Sequence, residues 1–345
     1  MEKRVVTIRD VAREAGVSVP TASRALAEYG YVKRETRKKV LETARILGYQ
    51  YNLVAKSLRT NKTQTIGYFL PDITNPFYAG IARGIQDFAF ARGYNVIICN
   101  NDNDILKTQQ LFKMFIRNRV EGIIYSVPFN EALQEMVEIV RNNGIPIVNC
   151  YGSTRANASD VVTGNVSEGC YRATKYLLEL GHRNIAFLKV RGSGINARRL
   201  EGCVKAFEEF RLELNPDLII EAEDFTQQSG YLNSKIMFLQ SRRPSALFAF
   251  NERLAMGVLK AAKEMGISIP RELSLIGVDD IMAELLEPSL TSLAIPTYEA
   301  GKTAASLLFN RIEKKKNDQP TRHMFVDELL RIRASTGQAA LDLIQ

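Results

Sequence analysis

The chain has 345 residues, 46% of them hydrophobic, and a formal net charge of +8, the profile of a globular protein of two or three domains. Residues 1–62 hold 14 Lys/Arg against 6 Asp/Glu and the rest of the chain is neutral, and a basic head on a neutral body fits phosphate contact at one end of the molecule. No apolar run approaches the roughly 20 residues of a membrane span, MEKRVVTIRD has no apolar core for a signal peptide, and four scattered cysteines with two histidines cannot build a clustered zinc site. The expectation is a cytosolic chain without membrane contact, metal or cofactor, with Cys99, Cys150, Cys170 and Cys203 as small core residues.

The first elements lie in TIRDVAREAGVSVPTASRALAEYGYV, residues 7–32. Thr7 is placed to cap a helix whose Ile8, Val11, Ala12 and Ala15 share one face. Gly16 suits a left-handed turn residue, and Val17 plugs the corner. Ser18 caps a second helix over about Val19–Leu26, where Pro20 is tolerated because first-turn amides have no intrahelical partner. A third helix runs from about Glu35 to Leu47, with Val40, Leu41, Ala44 and Leu47 inward and Gly48 as its terminator. The layout is a helix-turn-helix headpiece over residues 1–50. Residues 51–63 form a polar linker with a short helix candidate at Asn52–Leu58, too short to be stable alone in water.

From Thr65 the texture alternates. Strands are expected at TIGYFL, YNVIICN, EGIIYSV and IPIVNCY, with helices over about 75–93, 105–117 and 131–143 between them. The pattern restarts after Asp160: helices at 167–180, 196–210, 227–240 and 252–265 alternate with RNIAFLKV, LIIEAED, SALFAFN and ELSLIGVDD. A helix at 299–313 and a strand near 323–327 close the chain. This predicts two tandem α/β lobes, each a doubly wound parallel sheet, with the chain crossing between them more than once. The stretches around 160 and 290 read as connections. That assigns about 64–160 and 291–325 to one lobe, and about 161–290 and 326–345 to the other.

Together, TIRDVAREAGVSVPTASRAL, YVKRETRKKV, GYQYNLVAKSL, LPDITNPFYAGIARGI, LGHRNIAFL, RRLEG, FNERLAMGVLKAAKEMGISIPRELSLIGVDD and LTSLAIP resemble the lactose-repressor/galactose-repressor (LacI/GalR) family of bacterial transcription regulators over essentially the whole chain. The resemblance implies a homodimeric repressor of carbohydrate-utilisation genes. Its headpiece reads a palindromic double-stranded operator, and its core, of periplasmic-binding-protein type, binds a small effector. Effector binding then orders or melts the linker helix. Val19, Pro20 and Arg24 are implied to face base edges; Arg24 can donate bidentately to a guanine, and Val19 and Pro20 offer apolar contact. Thr7, Ser18, Thr21 and Ser23 fall to the DNA backbone, which positions without specifying. In the linker, Ala55 and Leu58 match the minor-groove wedge and Val54 packs against the partner's copy. The tail STGQAALDLIQ is too short for a tetramerising leucine repeat, so a dimer is expected.

Ligands of open α/β sheets sit at the carboxyl ends of strands. Those ends carry Asp72, Asn75, Asn100, Ser126, Tyr151, Asn251 and Asp279, with Arg199 opening a helix and Phe77 and Tyr78 available for stacking. The resemblance implies that Arg199, Asn251 and Asp279 anchor ligand hydroxyls. Tyr151 stands where many sugar-binding members carry an aspartate, and Ile295 where a glutamine is often found. That disfavours ribose and a cationic ligand, and leaves another sugar, a disaccharide, a sugar acid or a nucleoside. A phosphorylated carrier protein as coregulator stays open. An enzyme is disfavoured because RGSGINARRLEG lacks the third glycine of a dinucleotide loop, and no phosphate loop or nucleophile elbow occurs. His182, in LGHRN, reads as structural. A sugar-binding transport protein would suit the core but not the basic headpiece.

Overall fold

The computed structural model describes residues 6–27, 30–49, 62–127, 131–152, 159–192, 194–314 and 320–340. The linker positions Val54, Ala55 and Leu58 lie outside the described residues. The chain divides into two compact units, residues 1–64 and 65–345.

The first unit holds helices α1 (Ile8–Glu14), α2 (Val19–Leu26) and α3 (Arg34–Ile46). Their core is Val11, Ala12, Ala15, Ala22, Ala25, Val40 and Ala44; five alanines let the three axes approach closely. Thr7 opens α1, and the Asp10 carboxylate reaches back to accept the Thr7 amide (3.0 Å) and hydroxyl (2.7 Å). At the turn Gly16 adopts φ +65°, and the Val17 amide donates to the Ala12 carbonyl at 2.9 Å. A side chain at position 16 would have to adopt the left-handed region that glycine occupies freely. Ser18 Oγ then accepts the Thr21 amide at 3.3 Å, capping α2. One expectation fails here: Leu41 is 41% exposed, not inward. The inward stripe of α3 is Val40, Ala44 and half-buried Leu47, at i, i+4 and i+7. Leu41 lies a further 100° round the helix, beyond what two short partner helices can cover.

The second unit contains two six-stranded sheets. The first runs β11-β5-β4-β3-β1-β2, all neighbours parallel. Its strands are β1 (Thr65–Leu70), β2 (Asn95–Asn100), β3 (Gly122–Tyr125), β4 (Ile147–Cys150), β5 (Asp160–Gly164) and β11 (His323–Val326). Helices α4 (Pro76–Phe90), α5 (Ile105–Arg117), α6 (Glu131–Asn142) and α11 (Thr297–Lys314) cover it. The second runs β12-β10-β9-β8-β6-β7, parallel except for β12 against β10. It comprises β6 (Ile185–Val190), β7 (Ile219–Ala222), β8 (Ala246–Ala249), β9 (Ser274–Asp279), β10 (Thr291–Ala294) and β12 (Leu329–Arg331). Helices α7 (Val166–Glu179), α8 (Gly194–Glu209), α9 (Gln227–Phe238) and α10 (Glu252–Glu264) belong to this lobe. Central strands such as β1 and β9 are apolar runs buried on both faces, as a parallel sheet between helix layers requires.

Strands β5 and β10 occupy the stretches read as connections, and each belongs to the lobe it leaves. The chain therefore changes lobe at Gly164–Asn165 and after Ala294, not at 160 and 290, and a third time at Asp327–Glu328. Both strands are short, lack alternation, and run directly into a crossover, so their sequences look like loops.

Two buried polar networks pin the lobes. Asp160, at the start of β5, accepts from Arg311 Nε (3.0 Å) and Nη2 (2.7 Å) and from the Arg322 amide (2.8 Å), joining β5, α11 and the approach to β11. His182 faces Ser245 Oγ (2.9 Å), Ser274 Oγ (3.0 Å) and the Gly337 carbonyl (3.1 Å), and burial holds its pKa down. That is a structural pin. Cys150, Cys170 and Cys203 are buried, but Cys99 is only half-buried, and all four are free thiols. Among the described residues no helix is long and apolar enough to cross a membrane, and no group of side chains could hold a metal ion.

Candidate functional site

The headpiece presents one face of α2 to solvent. Val19 is 40% exposed, Pro20 and Arg24 are also exposed, and Ala22 and Ala25 fill the opposite, buried face. The three residues picked for base contact thus share a side. Ser18 Oγ is committed locally, to the Thr21 amide and, at 2.8 Å, to the Thr21 hydroxyl. Arg13 is paired with Asp10 at 2.9 Å. The helix dipole and the net positive charge of residues 1–62 favour phosphate near this end.

In the core, each sheet reverses its strand order once, between β1 and β3 in the first and between β6 and β8 in the second. Such switch points open a crevice at the carboxyl ends of the strands. From the first lobe come Phe77, Tyr78 and Tyr151. Phe77 stands edge-on to Tyr78 (centroids 5.1 Å) and to Tyr151 (5.4 Å). Tyr151 sits at φ +56°, a left-handed backbone that costs a residue with a Cβ on the order of 1 kcal/mol. From the second lobe come Arg199, Asn251 and Asp279. Asn251 Nδ2 donates to Asp279 Oδ2 at 3.3 Å. Asp279 sits at φ +101°, where side chains rarely go, so a second cleft residue is held in a strained backbone.

The charges of the two lobes act on one another. Burial pushes the Asp279 carboxyl up to about 7, with Arg199 opposing and Glu252 and Glu328 reinforcing. Burial also raises the Tyr78 phenol, helped by Asp279 and Asp72, and the Tyr151 phenol, helped by Glu328. At the mouth, Arg253 of the second lobe reaches Asp72 of the first at 2.9 Å. Burial works against ionisation of Asp72, but the Thr74 hydroxyl and amide together with Arg253 hold its carboxyl below the usual range. Asp224 faces Arg253 from the second lobe.

Several expected site residues take other work. Asn75 caps α4, accepting the Phe77 amide at 3.1 Å, and Asn251 Oδ1 caps α10 through the Leu254 amide at 2.8 Å. Ser126 is buried, donates to the Cys150 carbonyl (2.6 Å) and meets Tyr68 Oη (3.0 Å), so its hydroxyl is consumed inside the first lobe. Arg199 does not open its helix. It lies inside α8, donating through Nη1 to the Phe250 carbonyl.

One residue was missed. Glu328, in the third crossover, is 1% exposed, and neither carboxylate oxygen has a hydrogen-bond partner. Burial pushes its carboxyl up to about 7, opposed by Arg199, Arg172 and Arg198. An acid does therefore act on Tyr151, supplied from another part of the chain than position 151 itself. The sequence signal was an acidic pair, Asp327-Glu328, set inside the apolar run MFVDELL.

A basic helix-turn-helix headpiece with an exposed reading helix, in one chain with two α/β lobes that share a buried polar cleft, defines a ligand-responsive DNA-binding regulator. Comparison with known proteins makes the class specific. Residues 7–52 match the family of bacterial regulatory proteins of the lacI type, and residues 174–336 match a periplasmic binding protein-like domain. Catabolite control protein A of Priestia megaterium is 36% identical over 316 residues, covering 91% of this chain and 94% of that protein. A LacI family transcriptional regulator from Enterococcus faecium, solved with bound ribose, is 29% identical, with a TM-score of 0.71 over 80% of this chain and 100% of that one. The lac repressor dimer bound to operator and the anti-inducer ONPF shares the fold at 23% identity, with a TM-score of 0.87 over 97% of this chain and 100% of that one. The chain belongs to the LacI family of transcriptional regulators, with an N-terminal DNA-binding domain and an effector-binding core. Its relatives are regulators and not enzymes.

Proposed function

We propose that this chain is a repressor that binds a palindromic operator as a homodimer and is controlled by a small carbohydrate in the cleft between its lobes. The carrying observation is the exposed face of α2, where Val19, Pro20 and Arg24 stand together on a small, capped, basic domain. Arg24 takes a guanine edge, and Val19 and Pro20 take apolar contact such as a thymine methyl. Thr7, Thr21 and Ser23 flank this face and suit backbone contact, and Ala55 and Leu58 complete the proposal as the minor-groove wedge. One headpiece reads too few base pairs for a useful specificity ratio, which a two-fold dimer corrects. Leu232, Ile236 and Leu239 support the dimer: they recur at i, i+4 and i+7 along α9 and its end, all exposed, as an apolar stripe for a second copy.

The carbohydrate reading rests on Phe77 and Tyr151 as aromatic walls beside Arg199 and Asp279, and on the sugar carried by the Enterococcus faecium relative. The same walls would accept a nucleobase, which is the second reading. To test the DNA role, operator sequences are selected from a random duplex pool and affinities measured by fluorescence anisotropy. Arg24→Ala is expected to lose roughly 1–3 kcal/mol on the selected site and little on random DNA. Equal losses on both would exclude base reading by Arg24.

A further inference from the structure

Three side chains of the cleft, each more than nine-tenths buried, carry polar atoms without a partner. They are Tyr151 (6% exposed) at Oη, Arg199 (4%) at Nε, and Glu328 (1%) at both Oε1 and Oε2. Buried polar atoms in native proteins are almost always paired, so three orphans in one place mark positions that something else fills. They form one cluster. Tyr151 feels Glu328, Arg199 and Asp279; Asp279 feels Arg199 and Glu328; Glu328 feels Arg199.

Glu328 is also fixed in place. Its backbone carbonyl accepts from Arg172 Nη2 of α7 at 2.8 Å. Its carboxylate lies so close to the first crossover that a Cβ on Gly164 would stand 1.7 Å from Oε1, and one on Gly169 2.8 Å from Oε2. A side chain at 164 would force this carboxylate to move, so the first and third crossovers meet through it.

We propose that Glu328 is an effector-binding residue, and that with Tyr151 and the Arg199 Nε–H it selects a neutral, hydroxyl-rich ligand by accepting two adjacent hydroxyls on its two free oxygens. The proposal rests on the cleft being the effector site. Its chemistry follows from counting donors and acceptors. Once ionised, Glu328 offers two acceptors and Asp279 further ones, Arg199 Nε offers one donor, and Tyr151 Oη can do either. The ligand must therefore bring more donors than acceptors, as a vicinal diol does. Above about pH 8, where Asp279 and Glu328 are both ionised against the one Arg199 guanidinium, an anion would meet like charge in a low-dielectric site, and sugar acids and sugar phosphates are turned away. Phe77 and Tyr151 supply apolar faces for the ring carbons. Because Glu328 belongs to a crossover, its ligand touches a segment that joins the two lobes.

The test is isothermal calorimetry on the full chain at about pH 8, where both carboxyls are ionised, with D-ribose, D-glucose and cellobiose, set against D-gluconate, glucose 6-phosphate and guanine. At least one neutral sugar is expected to bind, and no anion. For that sugar Glu328→Gln should bind ten- to a hundredfold more weakly, the span of a hydrogen bond to a charged group. Tyr151→Phe removes a single unpartnered oxygen, should fold as the wild type does, and should bind several-fold more weakly; it carries the test if Glu328→Gln does not fold. Binding of an anion or of guanine in preference to every neutral sugar, no binding of any neutral sugar, or wild-type affinity in Tyr151→Phe or a folded Glu328→Gln each overturns the proposal. Loss of the function reading would show separately, as a wild-type chain that selects no operator.

Discussion

Replacing Asp279 by Asn should change how the stability of the core depends on pH. In the folded, ligand-free chain this carboxyl is pushed up to about 7 from an ordinary value of 3.8. The charged groups around it are Arg199, which favours ionisation, and Glu252 and Glu328, which oppose it. Between those two pH values the folded state holds a proton that the unfolded state has released, so stability falls as pH rises. At about 1.36 kcal/mol per unit, the loss attached to this group is on the order of 2–3 kcal/mol between pH 5 and 7, and about 4 kcal/mol once it is fully ionised. Asn cannot ionise and keeps the shape. Wild type and Asp279→Asn should therefore be nearly equal in stability only near pH 3, below the ordinary carboxyl value, and diverge as pH rises, with the variant more stable by roughly 2 kcal/mol at pH 5 and by about 4 kcal/mol at pH 8. Urea unfolding followed by circular dichroism suits a chain with no tryptophan. Taking the difference between the two proteins cancels His182 and the other groups that Asp279 does not touch electrostatically, and leaves Asp279 with its coupling to Glu252 and Glu328. Parallel curves from pH 5 to 8 would refute the electrostatic account of the cleft.

Asp160→Asn breaks a buried, bidentate pair and leaves Arg311 uncompensated, so about 3–5 kcal/mol should be lost and the urea midpoint should fall sharply; a change under 1 kcal/mol would mean that water replaces the pair. Arg253→Ala removes a half-exposed bridge between the lobes and should cost under about 1 kcal/mol of stability. It should nevertheless enlarge the ligand-free radius of gyration in solution scattering and speed effector release, and an unchanged scattering curve would show that the bridge does not hold the lobes together. Ser18→Ala should cost about 1 kcal/mol of headpiece stability through loss of the α2 cap, read from the melting of a fragment spanning residues 1–64 or, if that fragment does not fold, from amide exchange in the full chain.

Local chemistry was legible in the sequence. The bounds of α2 follow from Gly16 and Ser18, whose conformational and capping preferences act within four residues of themselves. The core strands and helices follow from apolar runs and periodicity. What escaped was decided at long range. Strands β5 and β10 exist because neighbouring strands wait for them, not because DVVTG or TSLA announces a strand. Asn75, Ser126 and Asn251 stand at the expected strand ends, yet each satisfies its own backbone or a neighbour's, and residue type alone does not say which partner an amide or hydroxyl will choose. Glu328 enters the cleft from a segment far from Tyr151 in sequence, so no local pattern could join them.

The three crossovers also set a timetable for synthesis. Val161 of β5 pairs with His323 of β11, so the first lobe's sheet lacks its outermost strand until the second lobe has been almost wholly translated. At roughly 5–20 residues per second, the intervening stretch of about 160 residues leaves that edge bare on the ribosome for roughly 8–32 s. Asp160, whose partners Arg311 and the Arg322 amide come later still than most of the second lobe, spends that interval as an unpaired acid at the exposed rim. A charge on an unfinished sheet edge discourages pairing with another strand, and the acid that later locks the finished lobe stands at the edge where β11 will dock.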